Sequence, residues 1–163
     1  MKIKLLTTKQ FLLTLMLVLS CLQAFAQFLI PDVSFGINGM VSTPLGGSWS
    51  YVTCLAVQPD GKILAAGIRT GSGTQVIVTR SLPDGSLDTG FATDGILETG
   101  LIFPQETYSE KIMTLQPDGN ILVAGQIKIG TNNTVAVARF LPNGDADGGF
   151  GDNGIATKTI SVN

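Results

Sequence analysis

Histidine is missing from all 163 residues of the chain. That removes imidazole metal ligands, Ser-His-Asp triads and Cys-His dyads in one step. Charge is scarce as well: Asp, Glu, Lys and Arg make up 13% of the residues, against roughly a quarter in an average globular chain. Hydrophobic residues reach 44%, which excludes intrinsic disorder, a state that needs low hydrophobicity and high net charge. The 20 glycines, none of them before Gly36, follow no three-residue period, so a collagen-like chain is excluded too. Gly46-Gly47 and Gly71-Ser72-Gly73 lack the Lys-Ser/Thr ending and the following helix of a phosphate loop and are read as hairpin loops. No motif calls for a cofactor.

The N-terminus has a basic start (Lys2, Lys4, Lys9), an apolar run over 11–19 and a small-x-small ending at Ala24-Phe25-Ala26. These are the parts of a cleaved signal peptide over residues 1–26. The run is too short to span a bilayer, which takes about 20 residues, and no later stretch matches it. The expectation is export to the periplasm, the cell surface or the medium. The alternative of a buried N-terminal strand or helix explains fewer of those parts. Ser20-Cys21 loosely resembles a lipoprotein lipidation site, a minor alternative that the bulky Leu19 weakens. Loss of the three lysines leaves 7 basic and 12 acidic residues, a formal charge of −5 in place of −2. Lys62, Arg69, Arg80, Lys111, Lys128, Arg139 and Lys158 are scattered singly, whereas polyphosphate binding needs clusters, so nucleic acid is not an expected partner. Nor is a membrane span expected.

Internal repetition is the strongest signal. Gln58-Pro59-Asp60-Gly61-Lys62-Ile63-Leu64-Ala65-Ala66-Gly67 returns 58 residues later from Gln116 to Gly125 with eight of ten positions identical. Arg80-Ser81-Leu82-Pro83-Asp84-Gly85 returns from Arg139 to Gly144. A third phrase occurs three times, running Asp32 to Gly39, Asp88 to Gly95 and Asp147 to Gly154, with Phe35, Phe91 and Phe150 in register. Counted from that Asp, the repeats are 32–87 and 88–146, followed by a partial repeat 147–163.

Each repeat is β throughout. Pro-Asp-Gly and Pro-Asn-Gly suit tight turns, because Pro presets φ, Asp or Asn bonds its own backbone and Gly accepts positive φ. The short β-branched runs between them predict strands over 53–57, 62–67 and 75–82, copies over 111–115, 120–127 and 134–141, and a further strand over 96–99. Four short strands per repeat suit a propeller blade. The fold class is all-β, with β-propeller-type repeats of four strands each, about two and a third of them, an incomplete propeller.

The phrases around Gln58–Gly67 and Arg80–Asp88, with Phe91-Ala92-Thr93-Asp94-Gly95, resemble the delta-60 repeats of bacterial exported proteins over residues 32–160. That resemblance implies a β-propeller-like architecture and attaches no reaction to it. It also implies that two repeats are too few, since propellers close with about four to eight blades. Self-assembly to complete a propeller is one expectation. The other is that the chain is the N-terminal fragment of a longer protein.

Recurring positions serve the scaffold, so function is sought where the copies differ. The repeated Asp and Phe read as a turn and an inter-blade anchor. Arg80 shares a strand face with Val76 and Val78, and an Arg there must be paired. The expected partners are Asp88 for Arg80 and Asp147 for Arg139; a ligand-binding Arg is the alternative. Asn143, Asp145 and Asp147 resemble half a calcium loop, but the twelfth position is Gly154 where a bidentate Glu is needed. Cys54, left single after cleavage, aligns with Ile112 and is expected to be a small core residue. The divergent stretches 46–51 and 101–110, taken as loops, hold the candidate ligand-binding residues Trp49, Tyr51 and Tyr108. The plain alternative is that these aromatics cap a blade edge. The reading is a non-enzymatic exported module with a structural role, or one binding protein or glycan through its loops. Its rival is a glycan-active hydrolase using Glu106 and Glu110, whose separation the sequence does not fix.

Overall fold

Two turn chemistries, each used twice, organise the chain in the computed structural model, which describes residues 30–71, 73–102 and 112–158. In the first, Asp60 and Asp118 accept hydrogen bonds from the amides of Lys62 and Asn120. In the second, Asp84 and Asn143 accept from Ser86 and Asp145. Gly61, Gly85, Gly119 and Gly144 follow with φ between 84° and 94°, a region costly for any side chain. Each turn reverses the chain between neighbouring elements.

The strands between the turns are β1 (Trp49–Val57), β2 (Ile63–Thr70), β3 (Thr74–Ser81), β4 (Ile96–Ile102), β5 (Met113–Leu115), β6 (Ile121–Ile129), β7 (Asn132–Phe140) and β8 (Ile155–Lys158). All pairings are antiparallel, in the order β1-β2-β3-β4-β6-β7-β8, with β5 beside β6. The architecture is all-β, of propeller type and open: two four-stranded blades, β1–β4 and β5–β8, whose strand ladder connects, among the described residues, at the pair Ile102↔Gln126. The last strand, β8, comes from the stretch that reads in sequence as a partial repeat. The described residues include no helix long and apolar enough to cross a membrane.

Two details differ from the sequence reading. Residues 49–51 are strand, not loop: Trp49 pairs with Thr70 and Tyr51 with Ile68. A bulge between Val52 and Cys54 breaks the alternation that would have betrayed the strand's start. Gly46-Gly47 is not a hairpin loop either. It leads into β1 at a close approach where Ser48 donates to the Thr70 carbonyl (2.9 Å) and a Cβ on Gly47 would collide with that same carbonyl. Gly71 and Gly73 do close the β2–β3 hairpin, bonded at 3.0 Å.

One core serves both blades, and they enter it with opposite faces. From the first blade come Leu64, Ala66, Val76, Val78, Leu97 and Leu101, and from the second Met113, Ile121, Val123, Ala136, Ala138 and Phe140. By repeat alignment Leu64 matches Leu122 and Val78 matches Val137, yet Leu122 and Val137 are only half-buried. Conversely Ile121 and Ala138 are buried, and they match Ile63 and Thr79 on the far side of the first blade. Blade stacking explains this: the front of one blade meets the back of the next. Cys54 and Ala56 pack against the same core from β1.

Candidate functional site

The conserved-looking chemistry of the repeats sits at the seam between blades. Arg80 is buried and pairs with Asp88 (Nε–Oδ2 2.8 Å), stacks 4.5 Å above the Phe91 ring and donates to the carbonyl of Pro142 (2.6 Å) in the second blade. Its Nη1 also reaches Gln58 Oε1 at 3.4 Å. Arg139 repeats the first two contacts, with Asp147 at 2.7 Å and the Phe150 ring at 4.6 Å. Both expected ion pairs are therefore present. Asp88 and Asp147 use their other oxygen to accept from Gly90 (3.1 Å) and Gly149 (2.9 Å), the turn role expected of them. Lys62 adds a second cation to Asp88 at 3.2 Å. Burial pushes the Asp88 carboxyl up, but Lys62, the Gly90 amide and Arg80 together hold it below the usual carboxylate value. Asp84 is also lowered, by the Ser86 hydroxyl and amide.

The Asn143–Asp147 stretch is a turn. Asn143 accepts from the Asp145 amide (3.1 Å) and donates to its carboxylate (2.7 Å), while Asp147 is committed to Arg139. Among the described residues no group of three or more Cys, Asp or Glu side chains could hold a metal ion.

The sequence-predicted binding residues fare differently. Trp49 and Tyr51 lie two apart on β1, so their side chains share one face. Their rings stack nearly parallel, 5.2 Å between centroids and 14° between planes. Trp49 remains 43% exposed, whereas Tyr51 is half-buried. Tyr108, Glu106 and Glu110 lie outside the described residues, as does the whole predicted signal peptide. Repeat alignment through the strand pairings matches Tyr51 to Ile102 and Leu55 to Met113, since these partner Ile68, Gln126, Ala65 and Val123. Three residues separate the pair in the first blade and ten in the second, so the second copy is seven residues longer between these positions.

A feature not anticipated from sequence is a cavity of about 450 Å³ on the first blade's far face, floored by Ile63, Ala65, Ile77 and Thr79. Residues 35–45 wall one side of it through Phe35, Val41 and Leu45. The signal was available in the alternation of β2 and β3, which carry apolar residues on both faces.

This arrangement defines a protein of propeller-type repeats. A family model described as "Domain of unknown function (DUF5122) beta-propeller" matches residues 58–91 and 116–150, one segment in each blade. Each match runs from the Gln-Pro-Asp-Gly turn through the Arg to the Phe motif. Comparison with curated proteins and comparison with solved structures each found no match.

Proposed function

We propose that the chain is a non-enzymatic, exported repeat module of the delta-60 kind, with a structural role or one of interaction, and that it presents the Trp49–Tyr51 pair to a glycan or protein. The carrying observation is that pair: two parallel rings at the start of β1, the outer one 43% exposed. Large flat side chains held by a neighbouring ring lose little conformational freedom on binding, which is why Trp and Tyr dominate contact sites. They also sit where the two repeats diverge. The recurring residues Arg80, Asp88, Phe91, Asp147 and Phe150 are engaged in contacts within and between blades, which makes the divergent residues the stronger candidates for a ligand. Export and cell-surface placement rest on the N-terminal sequence.

Trp49 is the chain's one tryptophan, so its fluorescence reports this site alone. Titration with soluble β-linked and α-linked oligosaccharides is expected to quench or shift that emission for one linkage class. Trp49→Ala should abolish binding, followed then by calorimetry, while leaving the melting temperature within about 3 °C, as for a loss under 1 kcal/mol. Emission indifferent to every glycan and to peptide mixtures, or release of reducing ends from any of them, would overturn the reading.

A further inference from the structure

We propose that this chain associates head to tail with further copies of itself, the outer face of the second blade seating on the far face of the first blade of the next copy. The interface inside the chain is the template. There the face carrying Leu64, Val78 and Arg80 meets the face carrying Ile121, Ala138 and Phe140. Each blade also owns the other half of that interface. On the first blade, Val52, Leu55 and Val57 are 61, 64 and 65% exposed. The residues matching the last two in the second blade, Met113 and Leu115, pack in the core. On the second blade, Val135 and Leu141 are 46 and 37% exposed. The counterpart of Val135, Val76, is fully buried, and that of Leu141, Leu82, is half-buried.

Polar groups at the second blade point the same way. Arg139 has its Asp and its Phe but, among the described residues, no carbonyl such as the one Arg80 finds at Pro142. Gln116 Oε1, matching the Gln58 oxygen that Arg80 reaches, is buried with no donor. A Pro-x-Gly turn seated there would give Arg139 its acceptor and draw its Nη1 toward Gln116. Such buried groups are costly to leave unmade, which gives the docking its direction and register. The turn that fits is 83–85, the counterpart of 142–144.

That turn already carries an occupant. Gly36 donates to the Asp84 carbonyl at 2.8 Å, as Ala92 donates to Asn143 at 2.9 Å, and Phe35 lies against Gly85 as Phe91 lies against Gly144. The Phe150 motif, third of the series, rests on no such turn among the described residues. Residues 33–45 therefore imitate the end of a preceding blade and cap the face that an incoming copy would use, so assembly requires their exchange. The interface is heterologous, and closure is possible because about two to four copies supply the about four to eight blades of a ring.

Light scattering behind a sizing column on the purified chain tests this. The wild type is expected to run as a discrete assembly of two to four copies, or to become one when Phe35→Ser loosens the cap. Leu141→Lys and Val135→Asp, both at exposed positions, should return it to a single-chain mass with an unchanged circular dichroism spectrum. Arg139→Met should weaken association about tenfold, the effect of one lost charge-assisted bond. A single-chain mass for both the wild type and Phe35→Ser overturns the proposal. So does assembly indifferent to Leu141→Lys. Trp49 lies on the opposite face of the first blade from Leu55, so a monomer that still binds through Trp49 refutes the assembly alone.

Discussion

Replacing Arg80 by Met keeps most of the aliphatic stem and removes the guanidinium, and the structure says what goes with it. Lost are the 2.8 Å ion pair to Asp88, the 2.6 Å bond to Pro142, the contact with Gln58 and the stacking on Phe91. Removing one partner of a buried pair costs about 3–5 kcal/mol, because a buried charge is left behind. Asp88 keeps Lys62 at 3.2 Å and the Gly90 amide, which places the expected loss at the low end, about 3 kcal/mol. Arg139→Met is the internal control. Its side chain is 25% exposed and has, among the described residues, one acid partner and no inter-blade carbonyl, so about 1 kcal/mol is expected. At roughly 3–5 °C per kcal/mol for a domain of this size, Arg80→Met should lower the melting temperature by about 10 °C and Arg139→Met by about 4 °C. Calorimetry on the two variants measures both. Equal losses, or Arg80→Met melting with the wild type, would refute the assignment of Arg80 as the clasp between blades.

Two further outcomes are open to simple measurement. Asp88 titrates below its usual value when folded, so its contribution is present above the unfolded pKa of about 3.9 and is lost as pH falls through the lower folded value; melting temperature should drop on acidification below about pH 4, and Asp88→Asn should flatten that drop. Ala92 adopts φ 46° at the position where the other two motifs have Gly36 and Gly151, and the adjoining bridge bond is 3.3 Å against 2.8 Å in both of those. Ala92→Gly should therefore stabilise the chain by about 1 kcal/mol, the balance of relieved left-handed strain against added unfolded-state freedom; a lower melting temperature would show that Ala92 is unstrained.

Strands and turns were legible because their signals are local. Pro-Asp-Gly fixes a reversal wherever it occurs, and the β-branched runs between reversals leave no helical alternative. The Arg80–Asp88 pair was legible too, since alternation put a cation among Val76 and Val78 and the repeat supplied an acid eight residues on. The start of β1 was not, because the bulge at Thr53 cancels the alternation by which a strand is recognised. The Trp49–Tyr51 stack was half legible: spacing of two puts both rings on one face, but strand identity at 49–51 depends on pairing with Thr70 and Ile68. Ala92 carried a legible hint, standing alone where its two counterparts are glycine.

The inversion of faces could not be read from either repeat alone. Leu64 and Leu122 are the same residue in the same phrase, and one is fully buried while the other is not. Nothing in the local chemistry of a leucine on a strand distinguishes them; the neighbour does. A blade written for stacking must be apolar on both sides, so its sequence announces two interfaces and leaves their occupants open. Among the described residues one interface is filled by the second blade, one is partly covered by residues 33–45 with Val52, Leu55 and Val57 left exposed, and one is bare at Val135 and Leu141. The recurring Arg follows the same logic: Arg80 is buried where a Pro142 carbonyl arrives from the next blade, and Arg139 is half-open where no such carbonyl arrives among the described residues. Identical phrases at unequal burial thus mark where the array is unsatisfied, and they do so more sharply than exposure of apolar side chains by itself. The divergent residues carry the complementary information, for Ile102 stands in the second blade where Tyr51 stands in the first. Trp49 and Tyr51 have no aromatic counterpart there, so stacking between blades does not require two rings at the start of β1, and contact with something outside the repeats is the role proposed for them.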